Sequence, residues 1–116
     1  DYVAMDIKAS PDKYARLTGM VNIDLGRINR SIEILLCANI SYEFRTTVVR
    51  NWITTEDVVN ISEWIKGSQK YVLQQFNPRI CISQDLIGSP PYPKEVMLEM
   101  QNISRQRINE VYLRGI

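Results

Sequence analysis

The stretch Tyr42-Glu43-Phe44-Arg45-Thr46-Thr47-Val48-Val49 decides the fold. Tyr42, Phe44 and Val48 share one parity, and Glu43, Arg45 and Thr47 the other. Successive side chains of a strand point to opposite faces, so the segment reads as a strand with one apolar and one charged face. Two related segments flank it. Tyr2-Val3-Ala4-Met5-Asp6-Ile7-Lys8 carries Asp6 and Lys8 on one parity, and Tyr71-Val72-Leu73-Gln74-Gln75-Phe76-Asn77 carries Gln75 and Asn77. An amphipathic helical pattern separates each strand from the next, which is the signature of βα units with parallel strands. Strands of a helix-covered parallel sheet usually read as near-continuous apolar runs. A charged parity on each strand therefore points to a sheet face that holds something polar.

Working outward, Ala9-Ser10-Pro11 leads into a short helix through Tyr14 and Leu17 that stops at Thr18-Gly19, where glycine can supply a left-handed turn. Asp24 is a candidate N-cap for a helix with Leu25, Ile28, Ile32, Leu35 and Leu36 in one stripe. Thr54 with Asp57 predicts a capping box opening a third helix through Val58, Ile61, Trp64 and Ile65, closed by Lys66-Gly67. Residues 77–93 are irregular and proline-rich, a loop of the length that often serves function. Pro93 suits the first turn of a last helix with Val96, Met97, Met100 and Ile103 inward, and Val111-Tyr112-Leu113 reads as a final short strand. Trp52 and Trp64 are expected to be packing residues and not stacking platforms, and Met97 and Met100 to be core and not a metal site. The implied order is βα-βα-β(loop)α-β with right-handed crossovers. Ligands of such sheets sit at the carboxyl ends of the strands. Lys8, Thr47 and Asn77 are expected there, with Asp6, Arg45 and Gln75 one layer deeper.

The chain has 116 residues, 45% hydrophobic and 23% charged, with a formal net charge of +1. That is the profile of one globular domain. Near-neutral charge gives no electrostatic case for nucleic acid or an anionic membrane, and no apolar run reaches the roughly 20 residues of a membrane span. There is no histidine, and the two cysteines, Cys37 and Cys81, lie far apart. This excludes a Cys/His zinc site and histidine-assisted nucleophilic catalysis from this polypeptide alone. Cys37 is expected to be a buried small hydrophobe, and neither cysteine implies an oxidising compartment, so a cytoplasmic setting is the default.

Taken together, Asp1-Tyr2-Val3-Ala4-Met5-Asp6-Ile7-Lys8, the arginine-bearing second strand and the Leu73-Gln74-Gln75-Phe76 third strand resemble the C-terminal half of radical S-adenosylmethionine enzymes that activate glycyl-radical enzymes. The likeness covers nearly the whole chain, in order. Among these enzymes the anaerobic ribonucleoside-triphosphate reductase activating proteins resemble it most, with pyruvate formate-lyase activating enzyme a cousin. The resemblance implies an α/β fold, the C-terminal half of a partial six-unit (βα) TIM-like barrel with helices on the outer face. It implies S-adenosylmethionine beside a [4Fe–4S] cluster in the parent enzyme, a 5′-deoxyadenosyl radical, and a glycyl-radical enzyme as protein substrate. Lys8 matches the lysine that contacts the methionine carboxylate, and Arg45 the arginine near the same ligand. Asp6 matches an aspartate that helps bind a monovalent cation. Asn77 stands where some relatives place a cofactor-contacting histidine, and Gln75 lies beside it. The segment from Asp12 to Gly19 matches a loop near the partner's glycine-bearing peptide.

The sequence departs from the family in lacking the CxxxCxxC cluster loop and the glycine-rich segment that holds the cofactor's amino group. Arg50-Asn51 also stands where relatives commonly have Pro-Gly. The expectation is a single-domain fragment over residues 1–116, starting at the fourth strand of the usual six and retaining no cluster of its own. Its first strand, lacking a neighbour, is then expected to pair with a second copy. Two rival readings are an aldolase-type barrel enzyme using Lys8 and a non-enzymatic binding or structural remnant. A reactive lysine needs a depressed pKa in an apolar seat, which Asp6 on the same face as Lys8 opposes.

Overall fold

The structure, a computed structural model, describes residues 2–17, 25–50, 52–76 and 91–115. Its elements are β1 (Tyr2–Asp6), α1 (Pro11–Leu17), α2 (Leu25–Cys37), β2 (Ser41–Val48), α3 (Thr55–Trp64), β3 (Lys70–Gln75), α4 (Lys94–Arg105) and β4 (Glu110–Arg114). The four strands form one sheet in the order β1-β2-β3-β4, every pair parallel. The α/β class and parallel pairing follow the expectation, and Val111–Leu113 lie within β4 as a full fourth strand.

Among the described residues, the four helices contribute to one core against one face of the sheet. Ile7, Tyr42, Phe44, Val48, Tyr71, Leu73 and Val111 supply the sheet side. Tyr14 of α1, Ile32 and Leu35 of α2, Val58 and Ile61 of α3, and Met97 and Met100 of α4 supply the helix side. Full burial of an apolar side chain of this size contributes about 1.5–3 kcal/mol, so this layer carries most of the stability. The apolar parity read from the sequence is thus the helix-facing one. A buried chain of hydroxyls ties the strand ends beneath the helices: Tyr71 donates to Thr46 Oγ1 at 2.5 Å, and Thr46 donates to the Ile7 carbonyl at 2.8 Å. Burial pushes the Tyr71 hydroxyl well above its usual range, which keeps it a donor.

The capping box is present, with the Thr54 hydroxyl accepting from the Asp57 amide and the Asp57 carboxylate accepting from the Thr54 amide. The helix ends at Ile65, and Gly67 takes the left-handed conformation, φ +90°, one turn before β3. Pro93 is the N-cap of α4 rather than its first residue, a shift of one position.

Three expectations are corrected. Cys37 is exposed. Nine positions after Ile28 at about 100° each, it lies opposite the buried stripe of α2. Trp52 is not packed away: the residue is 45% exposed, because it follows the end of β2 and stands on the rim of the sheet. Gln75 does not lie on the charged face. It stands opposite Val48 in the β2–β3 register, on the helix side, and its amide donates to the Tyr92 carbonyl at 3.0 Å. Adjacent Gln74 and Gln75 offer an amide to either face, and the register gives the open face to Gln74. Asp1, Gly19, Asp24, Asn51, Asn77 and Cys81 lie outside the described residues, as does most of the 77–93 loop.

Candidate functional site

The face away from the helices is polar, and the register sets its rows. One row reads Asp6, Arg45, Val72, Tyr112, and the row nearer the carboxyl ends reads Thr47, Gln74, Arg114. Lys8 follows β1 on the parity of Asp6, and the Ile7 amide still donates to the Arg45 carbonyl at 2.7 Å, so Lys8 continues this face next to Thr47. A cleft of about 290 Å³ opens here, lined by Asp6, Ile7, Lys8, Thr47, Val49 and Trp52. It stands at the carboxyl ends of β1 and β2, where open parallel sheets bind ligands.

Lys8, Asp6 and Thr47 therefore meet at one cleft, with Arg45 one row deeper. Asp6 Oδ1 lies 3.2 Å from Arg45 Nε. That nitrogen is itself buried and has no aligned hydrogen bond, so the two charges attract without a well-formed donor–acceptor pair. The arginine supplies the counter-charge of Asp6. Lys8 is exposed, and among the described residues its ammonium has no ion-pair partner.

Beneath the cleft the same face holds a second charged group. Glu43, only 3% exposed, accepts from the Tyr2 hydroxyl at 2.5 Å and from Arg114 at 3.3 and 3.5 Å, with Lys70 Nζ at 3.9 Å. Burial raises the Glu43 carboxyl, but the Tyr2 hydrogen bond and the cations of Arg114, Lys70 and Arg45 outweigh it and hold the group below the usual glutamate value. Lost hydration and the same carboxylate push the Tyr2 hydroxyl up to about 12. Arg114 reaches across Val72, which is fully covered although it points away from the helices. Lys70 also stands over the rings of Tyr2 and Tyr112 at 5.8 and 5.0 Å. Sequence reading placed Glu43 on this face but missed Tyr2, Lys70 and Arg114.

Beside the cleft, Asp57 is 5% exposed and accepts from Lys13 Nζ at 2.5 Å, from Ser10 Oγ at 3.2 Å, and from the Thr54 amide and hydroxyl at 2.8 and 3.0 Å. Burial raises its carboxyl, and the bonds from Lys13 and Thr54 override that to lower it.

The cleft can bind an anionic group at one end and apolar surface at the other, through Lys8 and Trp52. A [4Fe–4S] cluster does not fit the described residues: no three His, Cys, Asp or Glu side chains are gathered there to ligate a metal. Among the described residues no helix is long and apolar enough to cross a membrane.

Over 120 aligned residues the chain is 32% identical to a protein of Methanocaldococcus jannaschii provisionally named as a glycyl-radical enzyme activating enzyme. The match takes in all of this chain and 50% of that protein, so the chain spans about half the length of the curated relative. No family model matches the sequence, and no solved structure matches it. The chain is thus distantly related to a protein carrying that provisional activating-enzyme name.

Proposed function

We propose that the chain is part of a radical S-adenosylmethionine activating enzyme and forms the portion of its cofactor site that binds the methionine carboxylate. In this reading the sheet is a segment of a partial (βα) barrel. The partner is a glycyl-radical enzyme, of the anaerobic ribonucleotide reductase or pyruvate formate-lyase type. One observation carries the reading: the exposed Lys8 ammonium stands in a cleft at the carboxyl ends of β1 and β2, on the open face, with Arg45 one row beneath. An ammonium is a suitable point charge for a carboxylate. The cleft is at the small end of ligand pockets, which run about 300–1,000 Å³, so it takes one end of a cofactor of this size. Asp6 and Arg45 neutralise one another and leave Lys8 as the charge that meets the ligand.

The roles of these residues are binding and orientation. Lys8 holds the carboxylate, Thr47 lines the floor, and the Asp6–Arg45 pair sets the charge beneath. The name of the relative supports the class of partner, and the resemblance of the strand motifs supports the cofactor. The exposure of Lys8 argues against the aldolase reading, since a Schiff-base lysine needs a desolvated seat. Titration of the cluster-bearing enzyme that contains this chain, with S-adenosylmethionine and its decarboxylated analogue, tests the proposal. Tighter binding of the carboxylate-bearing form is expected, and equal binding of the two would contradict it.

A further inference from the structure

Two adjacent residues of α1 reach the two walls of the cleft. The Tyr14 hydroxyl accepts from the Lys8 amide at 2.7 Å. Lys13 Nζ donates to the Trp52 carbonyl at 2.6 Å and to the buried Asp57 carboxylate at 2.5 Å. Asp57 in turn accepts from the amide and hydroxyl of Thr54, two residues beyond Trp52. The turn leaving β2 is therefore pinned on its carbonyl side by Lys13 and at its end by Asp57. It is also held by the Trp52 and Ile53 amides, which donate to the Val49 carbonyl at 3.0 and 2.9 Å, and by the Tyr92 hydroxyl, which donates to the Ile53 carbonyl at 2.8 Å.

We infer that Lys13 is a positioning residue for the cleft, whose ammonium holds the Trp52 backbone and so sets how far the Trp52 ring stands from Lys8. Three facts support this over a purely structural role. Thr54 and Asp57 already cap α3 between them, so the helix start does not need the lysine. The Lys13 side chain is 30% exposed, more than a buried core ion pair requires. The contact to Trp52 is to a main-chain oxygen, so it constrains the backbone that carries the ring. The buried Asp57 carboxylate also holds the ammonium against the turn. The consequence for ligands rests on the reading that this cleft is the cofactor site. The consequence for Trp52 does not.

Labelling with 5-fluorotryptophan separates the two. The chain has two tryptophans, Trp52 and Trp64, and Trp64, whose indole N–H donates to Asn29 and whose ring meets Tyr14 edge-on, reports whether α1 itself has shifted. The test variant is K13M/D57N, which removes the ammonium without stranding a buried carboxylate, with D57N alone as the control for the altered capping box and K13R as the conservative variant. The Trp52 fluorine resonance should move in K13M/D57N beyond its position in D57N, and lie near its original position in K13R. A Trp52 resonance in folded K13M/D57N that coincides with that of D57N would overturn the inference. So would global unfolding of K13M/D57N where D57N stays folded, which would make Lys13 a residue of general stability. With S-adenosylmethionine as the probe, K13M/D57N is expected to lose about tenfold in affinity, the scale of one net hydrogen bond. If the unaltered enzyme binds no S-adenosylmethionine, the cofactor reading fails while the fluorine result still decides the role of Lys13.

Discussion

Asp6 and Arg45 face each other across the β1–β2 register, 3.2 Å apart, on the open side of the sheet. Both side chains are partly exposed, and the arginine Nε lacks an aligned hydrogen bond. The pair neutralises the middle of the face without gripping tightly, which leaves it able to yield to a ligand.

Asp6→Asn should therefore cost little stability, less than about 1 kcal/mol, as for other partly exposed ion pairs. Urea unfolding followed by circular dichroism measures it. A loss several times larger would mean that the pair is a structural lock.

Glu43→Gln should cost more, about 1.5–3 kcal/mol, because the carboxylate is buried and accepts charge-assisted bonds from Arg114 as well as the Tyr2 hydroxyl. The same urea titration compares the two variants directly. Equal effects of Asp6→Asn and Glu43→Gln would show that burial does not separate the two sites.

Acid should destabilise the protein through the same groups. Glu43 and Asp57 both titrate below their ordinary values in the fold. Groups lowered on folding add stability that is fully present above the unfolded values, about 3.9 for Asp and 4.3 for Glu, and lost as pH falls through the native ones. Unfolding midpoints measured from pH 7 downwards should hold level and then drop below about pH 4, with a shallower drop in Glu43→Gln. Stability that rises on acidification would contradict this.

Gly67→Ala should cost about 1–2 kcal/mol through backbone strain alone. Its φ is +90°, and no atom stands within 4 Å of where a Cβ would be. Asparagine, which tolerates the left-handed region better, should cost less. Thermal melts of the two variants rank them, and an alanine variant no less stable than the asparagine one would overturn the assignment of strain.

Much of the fold was legible because its signals are local. The parity of Phe44 and Val48 marked the core face, and Thr54 with Asp57 marked the start of α3 within four residues. What stayed hidden depended on distant partners. Neighbouring Gln74 and Gln75 look alike in sequence, and only the pairing of Gln75 with Val48 decides which faces the helices. Cys37 is apolar in type, but it sits half a turn away from the stripe of its helix. Arg114 meets Glu43 from 71 residues away, and Lys13 meets Asp57 from 44. No local pattern announces either contact. The cleft itself was half legible: parity places Lys8 and Thr47 at its mouth, whereas nothing local marks Trp52, whose type reads as a packing residue, as part of its wall.

The central claim is that the Lys8 ammonium binds the carboxylate of S-adenosylmethionine. A double-difference titration tests it most directly, with Lys8→Met and the unaltered cluster-bearing enzyme each titrated with S-adenosylmethionine and with its decarboxylated analogue. A charge-assisted contact is worth about 1.5–3 kcal/mol, so Lys8→Met should weaken S-adenosylmethionine binding by about tenfold to a hundredfold. The decarboxylated analogue should bind both proteins alike. If Lys8→Met weakens both ligands equally, or neither, the lysine does not read the carboxylate and the account fails.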